Sequence, residues 1–232
     1  MTLARRLAER GITSLRLDLS GIGDSRSVPG SLSFRQSSVA DTRAAMDQLA
    51  AEVGASRFVI FGLCSGADNA LATAEVDPRV VGIVVLDPPA YITPRAQARR
   101  LAGRVRALGG ARATLTWGLE TIARRVRAIG RAAGDAGQDD KPEVTGGREV
   151  PPPAVFRTQL AALVARKVAI LAVYSGALGA RYNHADQLFE LFPELRGKVD
   201  RAYFPAANHM FTELDAQAAL VRTVLDWVER RT

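Results

Sequence analysis

The segment Phe61-Gly62-Leu63-Cys64-Ser65-Gly66-Ala67 constrains this chain more than any other. A β-branched and aromatic run, Arg57 to Phe61, leads into Gly-x-Cys-x-Gly, and a helix-compatible run, Ala67 to Val76, leaves it. A strand that enters a helix through so short a turn holds its central residue in strained backbone and presents that side chain at the top of a sheet. Glycine two residues before and two after the centre suits this geometry, because larger side chains are expected to clash with the turn or the neighbouring strand. Register places Cys64 at the centre. If Ser65 were central, Leu63 would occupy a flanking position that needs a small residue, whereas Cys64 puts glycine at both. Ser65 then contributes its backbone N–H, the expected donor to an oxyanion.

Strand and helix signals alternate along the rest of the chain. Leu3–Arg10 reads as a helix closed by Gly11, and Ile12–Leu17 as a strand ending at Asp18. A Gly/Ser/Pro loop follows, then a helix capped by Ser37 or Ser38 and running to about Val53. Val80–Leu86 is a continuous apolar run, the pattern of a parallel strand buried on both faces. Phe156–Arg166 reads as a helix, Val168–Tyr174 as a strand, Ala185–Leu195 as a helix broken at Pro193, Val199–Phe204 as a strand and Glu213–Arg230 as a closing helix. The expected fold class is therefore α/β: a mostly parallel sheet with helices on both faces.

Ligands in such sheets bind outside the carboxyl ends of the strands. Asp18, Cys64, Asp87, Ser175 and the pair Asn208-His209 fall at those ends. A thiol needs a nearby base to react as thiolate at neutral pH. The chain has two histidines. His209 follows the last strand, as a base reaching the turn requires. His184 precedes a helix and is expected at the surface or behind the site. Asp18 is expected to fix the Gly21–Ser25 loop, and Trp117 and Trp227 to belong to the core.

Three motifs in this order carry a resemblance to the α/β-hydrolase family: Arg16-Leu17-Asp18-Leu19-Ser20-Gly21-Ile22-Gly23-Asp24-Ser25 after an early strand, the Gly62–Gly66 elbow, and Asn208-His209-Met210-Phe211. The cysteine at the elbow is similar to the dienelactone hydrolase branch in that one respect. The resemblance implies an α/β-hydrolase core in residues 1–92 and 154–232, with a helical cap and flexible linker inserted at 93–153. Leu3–Arg10 resembles the family's first helix after its oxyanion strand, so the fold is expected to be shortened at the N-terminus, with the second oxyanion donor upstream of Met1. The family's usual acid position, after Val173-Tyr174, holds no carboxylate. Asp87 is the first alternative and Asp186 the second. A bare Cys64–His209 dyad stays open, and so does a plainer role for Asp87 as the cap of the Pro88-Pro89 turn.

The resemblance implies hydrolysis, or transfer, of an acyl group from an ester, thioester or lactone through Cys64 and His209, with a small-molecule acyl substrate and with no metal or cofactor. The alternatives are an acyltransferase, or a non-catalytic scaffold that binds an anionic ligand or a protein partner. A redox-sensing thiol is a third, without a resolving cysteine.

Charge is concentrated in the insert. Between Thr93 and Ala133 there are ten arginines and one acid, which is +9 of the chain's +7 and leaves −2 for the remainder. Such arginines most often form a solvated face. The sharper expectation is attraction of an anionic substrate or a membrane surface. Nucleic acid is not expected, because no stacking or groove-reading motif accompanies the charge. No window reaches the ~20 apolar residues of a membrane span. The single cysteine suits a reducing compartment, so a cytoplasmic location is expected. Oligomeric state is left open.

Overall fold

The computed structural model describes residues 2–26, 32–107, 144–145, 148–179 and 181–231. Most of the insert, including Trp117, lies outside the described residues. The chain opens with α1 (Thr2–Ala8), whose last turn reaches Gly11 in the left-handed region at φ 72°. Helix α2 spans Phe34–Val53 and starts earlier than Ser37 or Ser38. The reason is a reciprocal cap: Ser33 Oγ accepts from the Gln36 N–H, and Gln36 Oε1 accepts from the Ser33 N–H at 3.0 Å.

Next come β1 (Phe58–Leu63), α3 (Ser65–Val76), β2 (Val80–Leu86) and α4 (Pro94–Ala107). Residues 144–149 contribute a two-residue antiparallel pair, β3 (Val144–Thr145) with β4 (Arg148–Glu149). The chain closes with α5 (Pro153–Ala165), β5 (Ala169–Ser175), α6 (Gln187–Leu191), β6 (Asp200–Phe204) and α7 (Leu214–Arg231).

The four long strands form one parallel sheet in the order β1-β2-β5-β6. Side chains alternate across a strand, so each strand feeds two cores. Ile83, Val85, Ile170, Ala172 and Tyr174 face α3 and α5, where they meet Leu71, Phe156, Leu160 and Leu163. Val84, Leu86, Leu171 and Val173 face α7, where they meet Val224, Trp227 and Val228. Trp227 is fully buried and donates through Nε1 to Asp200 Oδ2 at 2.8 Å.

One expected strand is not formed. Residues 12–17 have irregular backbone, pair with no described strand, and leave Leu15 and Leu17 50% and 41% exposed. A strand exists only through its ladder, and local β propensity cannot supply the partner. In α4 the arginines are exposed and Ala96 alone is buried, so this stretch presents a solvated basic face. Among the described residues no helix is long and apolar enough to cross a membrane.

Candidate active site

Strand β1 ends at Leu63, α3 begins at Ser65, and Cys64 forms the whole turn between them with φ 56° and ψ −114°. The two glycines flanking it do unequal jobs. A Cβ built on Gly62 would lie 2.0 Å from the Gly66 carbonyl oxygen, so only glycine fits. A Cβ on Gly66 would meet nothing within 4 Å. The expectation that both glycines are sterically required is thus corrected: the crowding runs one way, from residue 62 onto the backbone of residue 66.

Cys64 is partly buried. Its N–H donates to Leu86 O at 3.0 Å, which ties the turn to the end of β2. Its carbonyl accepts from Ala67 and Asp68 and so opens the helix. Ser65 is the first residue of α3, where backbone N–H groups have no intrahelical acceptor and point outward.

Asp87 follows β2 immediately, at φ 48°, and its side chain is only 1% exposed. A carboxylate so buried needs partners. Oδ1 accepts from the Ser175 N–H and Oδ2 from the Ser175 hydroxyl, each at 2.7 Å. His209 Nδ1 lies 2.6 Å from Oδ2. The carboxylate fixes the tautomer, with the proton on Nδ1 and Nε2 free to accept. His209 is 38% exposed at its side chain, and Nε2 has no hydrogen-bond partner among the described residues. Its loop is set by Asn208, whose Oδ1 accepts from the N–H groups of Met210 and Thr212 and whose amide donates to Glu213. Phe211, at φ 50°, closes the loop against Phe204 in an edge contact with centroids 5.5 Å apart.

Four non-glycine residues among those described have positive φ, and three of them, Cys64, Asp87 and Phe211, belong to this site. Each such conformation costs about 1–3 kcal/mol, so the fold over-determines this region.

The structure therefore brings Cys64, Ser65, Asp87, Ser175 and His209 to one end of the sheet. It separates the rest. Asp18 accepts from Ser25 Oγ through its backbone carbonyl at 2.7 Å, and its carboxylate packs where a Cβ on Gly23 would sit. Asp186 is held by Arg201 at 2.5 Å and Arg196 at 3.6 Å, and these pairs pull its carboxyl below the usual range. It makes no contact with His209. His184 is buried, not at the surface, and its Nε2 pairs with Glu190 Oε2 at 3.0 Å; burial pushes its pKa below the usual histidine range, and Glu190 opposes that only in part.

One residue of the site escaped the sequence. Arg148, in the stretch expected to be a flexible linker, donates from Nε and Nη2 to Asp68 at 2.6 and 2.5 Å and from Nη1 to the Asp87 carbonyl at 2.8 Å. Its side chain is 14% exposed. Burial pulls its proton affinity down, but the bonds to Asp68 and the neighbouring Cys64 thiol leave it above the ordinary arginine value. An isolated arginine beside Gly146-Gly147 carries no periodicity that could have marked it. Tyr174, in the core beside the site, stacks on Tyr182 with ring centroids 3.6 Å apart, and its buried hydroxyl has no hydrogen-bond partner among the described residues; burial pushes that hydroxyl above the usual tyrosine range.

No group of three or more His, Cys, Asp or Glu among the described residues is arranged to hold a metal ion. One groove lies between residues 15–20 and α2, lined by Leu15, Asp18, Asp41 and Gln48. It includes Asp18 but none of Cys64, Ser65, Asp87, Ser175 and His209.

A sequence profile of the family described as serine aminopeptidase, S33 matches residues 1–145. Among solved structures, the chain resembles a protein of unknown function from Agrobacterium tumefaciens provisionally placed among the α/β hydrolases, with 14% identity, a TM-score of 0.54, and coverage of 99% of this chain and 74% of that one. The esterase domain of a Rhodothermus marinus protein gives 18% identity and a TM-score of 0.53, covering 99% and 78%. A thermophilic esterase from Thermogutta terrifontis gives 18% and 0.51, covering 100% and 86%. At these identities the likeness establishes the fold. No curated protein matches significantly.

Proposed function

The chain belongs to the serine aminopeptidase, S33 family of α/β hydrolases, and from that premise we propose that it hydrolyses a carboxylic ester, thioester or lactone through an acyl-enzyme on Cys64. The observation that carries this reading is the hydrogen bond of His209 Nδ1 to the buried Asp87 carboxylate, at the same sheet end as the strained Cys64 turn. The family description names a serine; here the elbow holds cysteine, whose thiolate forms far more readily.

In the proposed reaction His209 Nε2 takes the Cys64 proton, and Asp87 stabilises the imidazolium through Nδ1–H. The thiolate adds to the carbonyl carbon. The Ser65 N–H stabilises the oxyanion, a role worth about 10²–10³ in turnover where one such donor has been removed. Collapse breaks the bond to the leaving group, which departs with the proton from His209. Water, deprotonated by His209, then releases the acid and restores the thiol. No hydrogen bond joins Cys64 to His209 in this conformation, and such contacts commonly tighten only when substrate is bound. The basic face of α4 supports an anionic substrate as the narrower choice.

The test is turnover of a short-chain p-nitrophenyl ester by the wild type and by Cys64→Ala, with intact-mass measurement of each during turnover. A mass increase equal to the acyl group in the wild type, lost together with activity in Cys64→Ala, is expected. Equal rates in both proteins would refute a Cys64 acyl-enzyme.

A further inference from the structure

The reaction above gives no part to Arg148. From β4 its side chain forks two bonds onto Asp68, from Nε at 2.6 Å and Nη2 at 2.5 Å, and donates a third from Nη1 to the carbonyl of Asp87 at 2.8 Å. A guanidinium is planar, so three bonds to two partners fix both its position and its tilt. Asp68 lies in the first turn of α3, and its N–H donates to Cys64 O at 3.3 Å. The arginine therefore ties the turn that carries Asp87 to the helix that Cys64 opens. The chain just beyond it is held as well, because Pro151 O accepts from the Tyr91 hydroxyl at 2.7 Å.

The backbone at Asp87 needs such a tie. Its φ of 48° lies in the left-handed region, and Pro88 follows it, so both features favour extended backbone instead. A strained conformation of this kind persists only where its neighbours hold it. On the strand side, the Asp87 N–H donates to Val173 O at 2.8 Å. On the other side of Cα, the bond from Arg148 holds the carbonyl. Asp87 is buried, so a carbonyl released there is sheltered from water and must find another partner. Relaxation to the extended form turns the residue about its N–Cα bond. That turn swings Cβ, and the carboxylate with it, away from His209 Nδ1, which lies 2.6 Å from Oδ2.

We infer that Arg148 is a positioning residue: by holding the Asp87 carbonyl it keeps the strained turn in place, and so aims the Asp87 carboxylate at His209. This rests on the acyl-enzyme reading of the site. Arg148 acts through Asp87, and Asp68 acts by aiming Arg148.

The experiment reads the tautomer of His209 by nuclear magnetic resonance of isotope-labelled protein at about pH 9, where an ordinary imidazole is neutral. Correlation through the carbon-bound ring protons reports both ring nitrogens. The chain has two histidines, and His209→Gln assigns the signals. The wild type is expected to carry its proton on Nδ1. In Arg148→Gln the population is expected to move to the Nε2–H form, which a free imidazole side chain prefers. With an ester substrate, kcat falls about 10–100-fold in Arg148→Gln while KM changes little. In an Asp87→Asn background the same substitution costs less than about twofold more, because its target is already lost. An Arg148→Gln ring still in the Nδ1–H form, with native circular dichroism retained, overturns the inference. So does a wild-type ring in the Nε2–H form. Losses that multiply in the double variant overturn it too, since Arg148 would then act by a route other than Asp87. Should Arg148→Gln fail to fold, Arg148→Lys, which keeps the charge but not the fork, takes its place with the same outcomes. Absence of ester turnover in the wild type, or equal turnover in Cys64→Ala, would remove the acyl-enzyme reading, while the His209 tautomer would still decide whether Arg148 aims the carboxylate.

Discussion

Replacing Gly62 and Gly66 separately by alanine should move stability in opposite directions. At Gly62 the added Cβ would sit 2.0 Å from the Gly66 carbonyl oxygen, 2.3 Å from its carbon and 2.7 Å from the Ala67 nitrogen. Ordinary contact begins near 3.4 Å, so the elbow must open by 3.4 − 2.0 = 1.4 Å. The obstacle is backbone, and no side chain can swing aside. Overpacking costs about 1–3 kcal/mol, and backbone movement puts Gly62→Ala at or above the upper end. For a domain of this size 1 kcal/mol shifts Tm by about 2–4 °C, so a fall of roughly 6–12 °C is expected. At Gly66 the new methyl meets nothing within 4 Å, and the residue lies inside α3 with no left-handed φ. Alanine there removes unfolded-state entropy and adds about 0.4–1 kcal/mol of stability, a small rise in Tm. Thermal unfolding followed by far-ultraviolet circular dichroism, with reversibility checked at each scan, measures both. Equal losses in the two variants, or an unchanged Tm for Gly62→Ala, would refute the one-sided crowding at the elbow.

Other perturbations test other parts of the molecule. Asp87→Asn leaves the His209 tautomer unfixed and is expected to lower kcat/KM on an active ester by about 10²–10⁴-fold; a rate within threefold of wild type would make Cys64 and His209 a sufficient dyad. The side-chain bond from Arg79 holds the Asp77 carboxyl well below the usual carboxylate range, against burial, which pushes it up. Because the folded-state value is the depressed one, this stability is fully present above about pH 4 and is lost as pH falls through the folded value. Asp77→Asn should therefore cost about 1.5–3 kcal/mol at neutral pH and flatten the acid side of the Tm profile; an unaltered acid limb would assign that limb to other carboxylates. Trp227→Phe removes the Nε1–Asp200 bond and leaves a void between α7 and the sheet, with an expected loss of about 1–3 kcal/mol by urea unfolding.

Much of the fold was legible because its causes are local. The continuous apolar run Val80–Leu86 could only be a strand buried on both faces, and it supplies side chains to both cores. The elbow could be placed to the residue, since a strand, a one-residue turn and a helix leave little choice of register. The choice of His209 over His184 followed from its place after the last strand. The start of α2 was misplaced by a few residues because two serines competed with Ser33, and only Ser33 has Gln36 three positions on.

The sequence by itself placed Cys64, Asp87, Ser175 and His209 at or just beyond the carboxyl ends of strands, because strand, turn and helix signals act over a few residues; Asp18 was the exception, since no strand precedes it. Tertiary structure alone decided which of them meet. Asp87 and His209 stand 122 residues apart and Arg148 and Asp68 stand 80 apart, and no local pattern encodes either pairing. It also decided that residues 12–17 are not a strand, since a ladder needs a second chain segment at its side. Backbone conformation is set by neighbours in sequence, whereas hydrogen bonds to buried charge are set by neighbours in space, and only the folded sheet brings those together.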